Sequence, residues 1–164
     1  MPDIILVDLY IKTEMNCMKD DVIFDTNILV YAFDNSEKQK NIKAKSLVLD
    51  VQNNSINGVI TNQILGELFN VLTTKVRCGI TYKEASLIIN DFVFSDKWHK
   101  INYTYNTVEK AAEMSWKLNK PFWDTLIIMT ALENNINKIY TENLKDFTEI
   151  GGIKIINPFD TSGY

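Results

Sequence analysis

Val22-Ile23-Phe24-Asp25-Thr26-Asn27 is a short apolar run of β-favouring residues cut off by three polar ones. Such a run reads as a buried strand that delivers polar groups at its carboxyl end. Working outward, Ile28 to Phe33 reads as a short helix, and Asp34-Asn35-Ser36 supplies turn and N-cap chemistry for the next one. That helix shows in Ala44, Leu47, Val48 and Val51, and Asn53-Asn54 closes it. Gly58-Val59-Ile60-Thr61 repeats the opening pattern as a second strand. From Asn62, the residues Ile64, Leu65, Leu68, Phe69, Leu72 and Val76 trace one helical face that Gly79 caps.

The remainder alternates in the same way. Thr81 and Glu84 form a T-x-x-E capping box ahead of Ala85, Ile88, Ile89 and Phe92, and Ser95-Asp96 ends that helix. Trp98 to Tyr103 is β-like, and Thr107 opens a helix that Asn119-Lys120-Pro121 breaks. Phe122 to Leu132 is apolar nearly all round and therefore reads as a central, buried helix. Lys138-Ile139-Tyr140-Thr141 and Ile153-Lys154-Ile155-Ile156 are the last strands, with Gly151-Gly152 as the turn before the final one. Strands alternating with helices imply a single α/β domain, a central and mainly parallel sheet flanked by helices. Ligands in such folds bind beyond the carboxyl ends of the strands.

Composition narrows the chemistry. The chain of 164 residues is 46% hydrophobic and 23% charged, enough to bury a core without disulfides or a structural metal. Cys17 and Cys78 lie far apart and belong to no Cys/His cluster, so they read as reduced and incidental. One histidine, His99, cannot build a His-based zinc site or serve a Ser/His/Asp triad beside one. No apolar run approaches the roughly 20 residues that span a bilayer, and the start lacks a signal peptide's basic region, so a cytoplasmic protein is expected. Residues 1–17 read as an extension outside the core, and Met18-Lys19-Asp20-Asp21 as the beginning of the domain, residues 18–164. A net charge of −4 argues against a general nucleic-acid coating protein but not against an enzyme with carboxylates gathered at a metal.

Three acids occupy special positions. Asp25 ends the first strand, where it can also serve as an N-cap. Glu67 stands mid-helix at the margin of an apolar stripe, and Asp124 opens the most apolar helix, where the helix dipole favours a carboxylate. Each has a structural explanation alone. Their joint order, carried by Ile23-Phe24-Asp25-Thr26-Asn27, Asn62-Gln63-Ile64-Leu65-Gly66-Glu67-Leu68, Trp123-Asp124-Thr125-Leu126-Ile127 and Tyr140-Thr141-Glu142-Asn143-Leu144-Lys145-Asp146-Phe147, resembles the PIN-domain family of metal-dependent nucleases from about Val22 to Phe159.

The resemblance is nearest to the small toxin ribonucleases of bacterial toxin–antitoxin pairs. It implies that Asp25, Glu67 and Asp124 are acidic metal ligands and catalytic residues, with Thr26 or Asn27 supporting the first. Many members carry a fourth acid after the Thr of the penultimate strand, where this chain has Thr141-Glu142-Asn143; Asn143 or Asp146 would then serve a second metal. The resemblance also implies an RNA substrate, an antitoxin whose tail covers the acidic site, and pairing as homodimers. Oxygen-only ligands favour Mg²⁺ or Mn²⁺ over zinc. Lys43, Lys75 and Arg77 are candidates for holding RNA phosphates, and Trp123 for stacking on a base, although solvated helix faces and core packing account for the same residues.

Two other readings share the fold core. A structure-specific 5′ nuclease has the acid cluster, but this chain lacks room for its extra DNA-clamping segments. A degenerate member would bind RNA or protein without cutting, with Asn143 as its support. A phosphatase of the haloacid dehalogenase type needs a second Asp two residues after the first, where this chain has Asn27.

Overall fold

Val22, Ile23 and Phe24 form the middle of the molecule. In a computed structural model describing residues 20–74, 79–147 and 150–160, they belong to strand β1 (Asp21–Phe24), which is paired on both sides. The other strands are β2 (Asn57–Thr61), β3 (Trp98–Ile101), β4 (Lys138–Tyr140) and β5 (Lys154–Ile156), in the spatial order β3-β2-β1-β4-β5. Every pairing is parallel. The sheet expected to be mainly parallel is thus wholly so among the described residues. Being covered on both faces, its central strands read as continuous apolar runs instead of alternating ones.

The helices are α1 (Thr26–Tyr31), α2 (Lys38–Gln52), α3 (Asn62–Thr74), α4 (Tyr82–Phe94), α5 (Tyr105–Leu118) and α6 (Phe122–Glu133). The Thr81/Glu84 capping box starts α4. Two helix starts differ from the sequence reading. α2 begins at Lys38 with Glu37 at its N-cap and no capping side chain; Asp34 instead accepts from the Ser36 amide at 2.8 Å, which makes a turn ahead of the helix. α5 begins two residues before Thr107, because Thr104 takes the N-cap and Thr107 answers as its capping-box partner. In α6, seven consecutive residues from Thr125 to Ala131 are buried, and the helix packs against α5. No helix among the described residues is long and apolar enough to cross a membrane. Residues 1–17, Lys75, Arg77, Val76 and Cys78 lie outside the described residues.

Aromatic rings tie the layers together. Phe24 meets Trp98 edge-on at 5.0 Å and Tyr140 at 5.4 Å, and Phe92 meets Trp98 at 5.1 Å. Gly58, opposite Val22 in the register, lets α2 and Trp98 approach: an added Cβ would lie 2.7 Å from a Val51 methyl and 2.8 Å from the Trp98 ring. The chain runs outward from β1 through β2 to β3, then returns to β1's other side for β4 and β5. The topological switch therefore lies between β1 and β4, the crevice where open parallel sheets hold ligands. Asp25 and Thr141 follow those two strands directly.

Candidate active site

Asp25 sits at the switch point with 6% of its surface exposed, and its backbone amide donates to the Tyr140 carbonyl of the neighbouring strand at 2.9 Å. Its Oδ1 accepts from the Thr26 amide at 2.7 Å, so it caps α1. Oδ2 accepts from Thr141 Oγ1 at 2.7 Å and Asn27 Nδ2 at 2.5 Å. The capping and functional readings of Asp25 are therefore compatible: the cap orients the carboxylate. Thr26, also buried, turns its hydroxyl to Glu67 Oε2 at 2.7 Å.

Glu67 comes from the third helix, where spacing of four residues lets Gln63 reach it. Gln63 Nε2 donates to Glu67 Oε1 at 2.7 Å and to the Trp123 carbonyl at 3.0 Å. One amide thus joins α3 to the first turn of α6, where Asp124 stands. Gln63 Oε1 is buried without a hydrogen-bond partner. Asp25, Glu67, Asp124 and Asn143 all line one open cleft of about 430 Å³.

The loop after β4 completes this wall. Thr141 is fully buried, and its hydroxyl, besides donating to Asp25, accepts from Asn27 Nδ2 and the Asn143 amide, both at 3.1 Å. Asn143 Nδ2 in turn donates to Asp146 Oδ2. Glu142 lies at the rim, taking a hydrogen bond from Tyr31 Oη at 2.7 Å and an ion pair with Lys40 at 2.5 Å. Lys40 also pairs with Glu37 at 2.9 Å and sits 4.7 Å from the centre of the Tyr31 ring.

Burial and like charge raise two of these acids above the usual carboxylate range. The Asp25 carboxyl is raised to about 6, chiefly by burial, with Thr141 and Thr26 opposing and the Glu67 charge assisting. Asp124 is also raised to about 6, by burial and then by the charges of Asp25, Asp146 and Glu67. At the rim, Lys40 is raised, with its hydrogen bond to Glu142 the largest cause.

The donor set suits a hard divalent cation. It is all oxygen, it repels itself, and Asp25 Oδ1 and both Glu67 oxygens, each accepting one hydrogen bond, keep a lone pair for a further partner. The orphaned Gln63 oxygen is an acceptor of the kind a metal's water satisfies. Asp25 and Glu67 are nonetheless tied to protein donors, and among the described residues no three His, Cys, Asp or Glu side chains form a ready-made metal cage.

The structure brings together Asp25, Glu67, Asp124, Thr26, Asn27, Thr141 and Asn143, with Asp146 attached through Asn143. Lys43 is exposed on α2 and is not among the residues lining the cleft. Lys75 and Arg77 fall outside the described residues. Sequence reasoning missed the roles of Gln63 and of the Tyr31, Lys40 and Glu142 cluster. The Gln63/Glu67 spacing was a usable signal; the union of Lys40 with Glu142, far apart in sequence, was not.

The PIN domain family model matches residues 22–153. No curated protein matches the chain. Among solved structures, a toxin–antitoxin complex from Klebsiella pneumoniae is 19% identical, with 84% of this chain and 97% of that one covered at a TM-score of 0.59. VapC20 of Mycobacterium tuberculosis, described as a sarcin-ricin loop cleaving toxin, is 18% identical over 72% of this chain and 86% of its own, at 0.56. VapBC2 from Rickettsia felis, bound to a DNA fragment from its promoter, is 18% identical over 84% and 98%, at 0.57. At these identities the likeness is one of fold.

Proposed function

The chain belongs to the PIN domain family, and from that premise we propose that it is a divalent-metal-dependent endoribonuclease, the toxin of a toxin–antitoxin pair. The observation that carries this reading is the convergence of Asp25, Glu67 and Asp124, from three separate elements, on one cleft at the switch point. Toxin–antitoxin complexes among the structures sharing the fold support an antitoxin partner, and the RNA-cleaving toxin among them supports an RNA substrate.

Asp25, Glu67 and Asp124 are the residues that would hold Mg²⁺ or Mn²⁺, with Asn143 and Asp146 next to them. When bound, the ion makes a water more acidic and stabilises charge on the attacking and leaving oxygens. The protein's contribution is orientation and charge. Asp25 is fixed by three hydrogen bonds and Glu67 by two, so these carboxylates are aimed before substrate arrives. Asp124 makes no side-chain hydrogen bond among the described residues and is the carboxylate left to move. The hydroxyls of Thr26 and Thr141 are committed as donors to Glu67 and Asp25, so on this reading water hydrolyses the phosphodiester without a covalent enzyme intermediate.

The test is incubation with total RNA and Mg²⁺ or Mn²⁺. Cleavage is expected, with loss in EDTA and loss in Asp25→Asn and Asp124→Asn; cleavage unchanged by either substitution refutes the assigned site. Preference for flapped DNA over RNA would favour a structure-specific 5′ nuclease. RNA binding without metal binding by calorimetry would favour a non-cutting member.

A further inference from the structure

A second cleft, of about 720 Å³, opens beside the first and shares Glu67 and Asp124 with it. Its remaining walls differ in chemistry. Asn62 and Asn70 present amides, Tyr103 and Trp123 present rings, and no lysine or arginine lines it among the described residues. Neutral amides and aromatic faces are poor partners for a phosphate and good ones for an unpaired base, which offers a π-face and a hydrogen-bonding edge.

Trp123 is the telling residue. It is 57% exposed although Thr125 to Ala131 of the same helix are buried. Phe122 braces it edge-on at 5.2 Å. Its carbonyl is held by the same Gln63 amide that holds Glu67, so the backbone carrying the ring and the Glu67 carboxylate are tied to one another. Gly66 keeps the cleft open: an added Cβ there would meet nothing within 4 Å, so a side chain at this position would project into empty space rather than strain the helix.

We infer that this second cleft is a nucleobase subsite. It takes one unpaired base of single-stranded RNA next to the scissile phosphate, stacked on Trp123 with its edge toward Asn62 and Asn70. The assignment rests on reading the first cleft as a nuclease centre.

The test is anisotropy titration of a short, labelled, unpaired RNA in EDTA, which measures binding apart from cleavage. Trp123→Ala is expected to weaken binding about 5- to 150-fold, the range for loss of one base–aromatic stack. Trp123→Phe is expected to restore most of it. Gly66→Leu is expected to weaken binding while melting no lower than wild type, because leucine is the better helix former. Trp116→Ala removes another exposed ring, 80% exposed on α5, and is expected to change nothing. With metal present, Trp123→Ala is expected to raise KM far more than it lowers kcat. Binding by Trp123→Ala or Gly66→Leu within about twofold of wild type would overturn the subsite even if Asp25→Asn abolishes cleavage. Trp123-dependent binding in a protein that cuts no RNA would overturn the nuclease reading and, with it, the placement beside a scissile phosphate, leaving only a base-binding cleft.

Discussion

Replacing Asp25 with Asn is expected to make the metal-free protein more stable near neutral pH while abolishing cleavage. Asp25 is 6% exposed, and its carboxyl sits at about 6 in the folded chain against an ordinary 3.8. A carboxyl that holds its proton more tightly in the folded state stabilises that state below pH 3.8 and loses the contribution as pH rises through about 6. At about 1.4 kcal/mol per pKa unit, ionised Asp25 costs the fold on the order of 3 kcal/mol at pH 7 and above. Asn removes the charge but fits less well. With its oxygen still accepting from Asn27 Nδ2 and Thr141 Oγ1, its amide nitrogen faces the Thr26 amide, which donates to the carboxylate. That mismatch costs about 1–2 kcal/mol, leaving a net gain of about 1–2 kcal/mol, or a rise in Tm of roughly 2–8 °C for a domain of this size. Melting curves in EDTA from pH 4 to 8 measure it: the advantage of Asp25→Asn is expected to be largest at pH 7–8 and to vanish or reverse near pH 4. Added Mg²⁺ is expected to stabilise wild type and not the variant. A variant less stable than wild type at every pH, or a difference independent of pH, would refute the reasoning.

Two further outcomes test the frame around the site. Gly58→Ala pushes a methyl to within 2.8 Å of both Val51 and Trp98 and is expected to cost about 1–3 kcal/mol by overpacking; an unchanged Tm would show that α2 shifts freely over the sheet. Lys40→Met removes the ion pairs with Glu142 and Glu37. These pairs are partly exposed, so a loss below about 1 kcal/mol is expected, with faster hydrogen exchange at the Glu142 and Asn143 amides; exchange at the wild-type rate would show that Tyr31 and Asn27 alone hold the loop.

The strands were legible because both faces of the sheet are covered, which leaves β1 and β2 as unbroken apolar runs. The all-round burial of α6 was visible for the same reason. Helix starts were less so: Thr104 and Thr107 both have capping chemistry, and only the fold decides which takes the N-cap. Asp25, Glu67 and Asp124 were found through their order on the elements. The residues that aim them escaped notice because their partners are distant in sequence. Thr26 meets Glu67 across 41 positions, Tyr31 meets Glu142 across 111, and nothing local in either sequence neighbourhood announces the other. The second cleft was half visible, since Trp123 was a candidate for stacking, but its exposure depends on α6 turning that one residue outward.

The bond from Thr141 to Asp25 spans 116 residues of chain. A ribosome adding about 5–20 residues per second needs roughly 6 to 23 seconds to travel that distance. Throughout that interval β1 lacks its neighbour β4, and Asp25 lacks the Thr141 hydroxyl that fixes its outer oxygen. A truncated message ending before Tyr140 therefore makes a chain with all three acids and no assembled centre. Order of synthesis therefore delays assembly of the cleft until the last strands emerge.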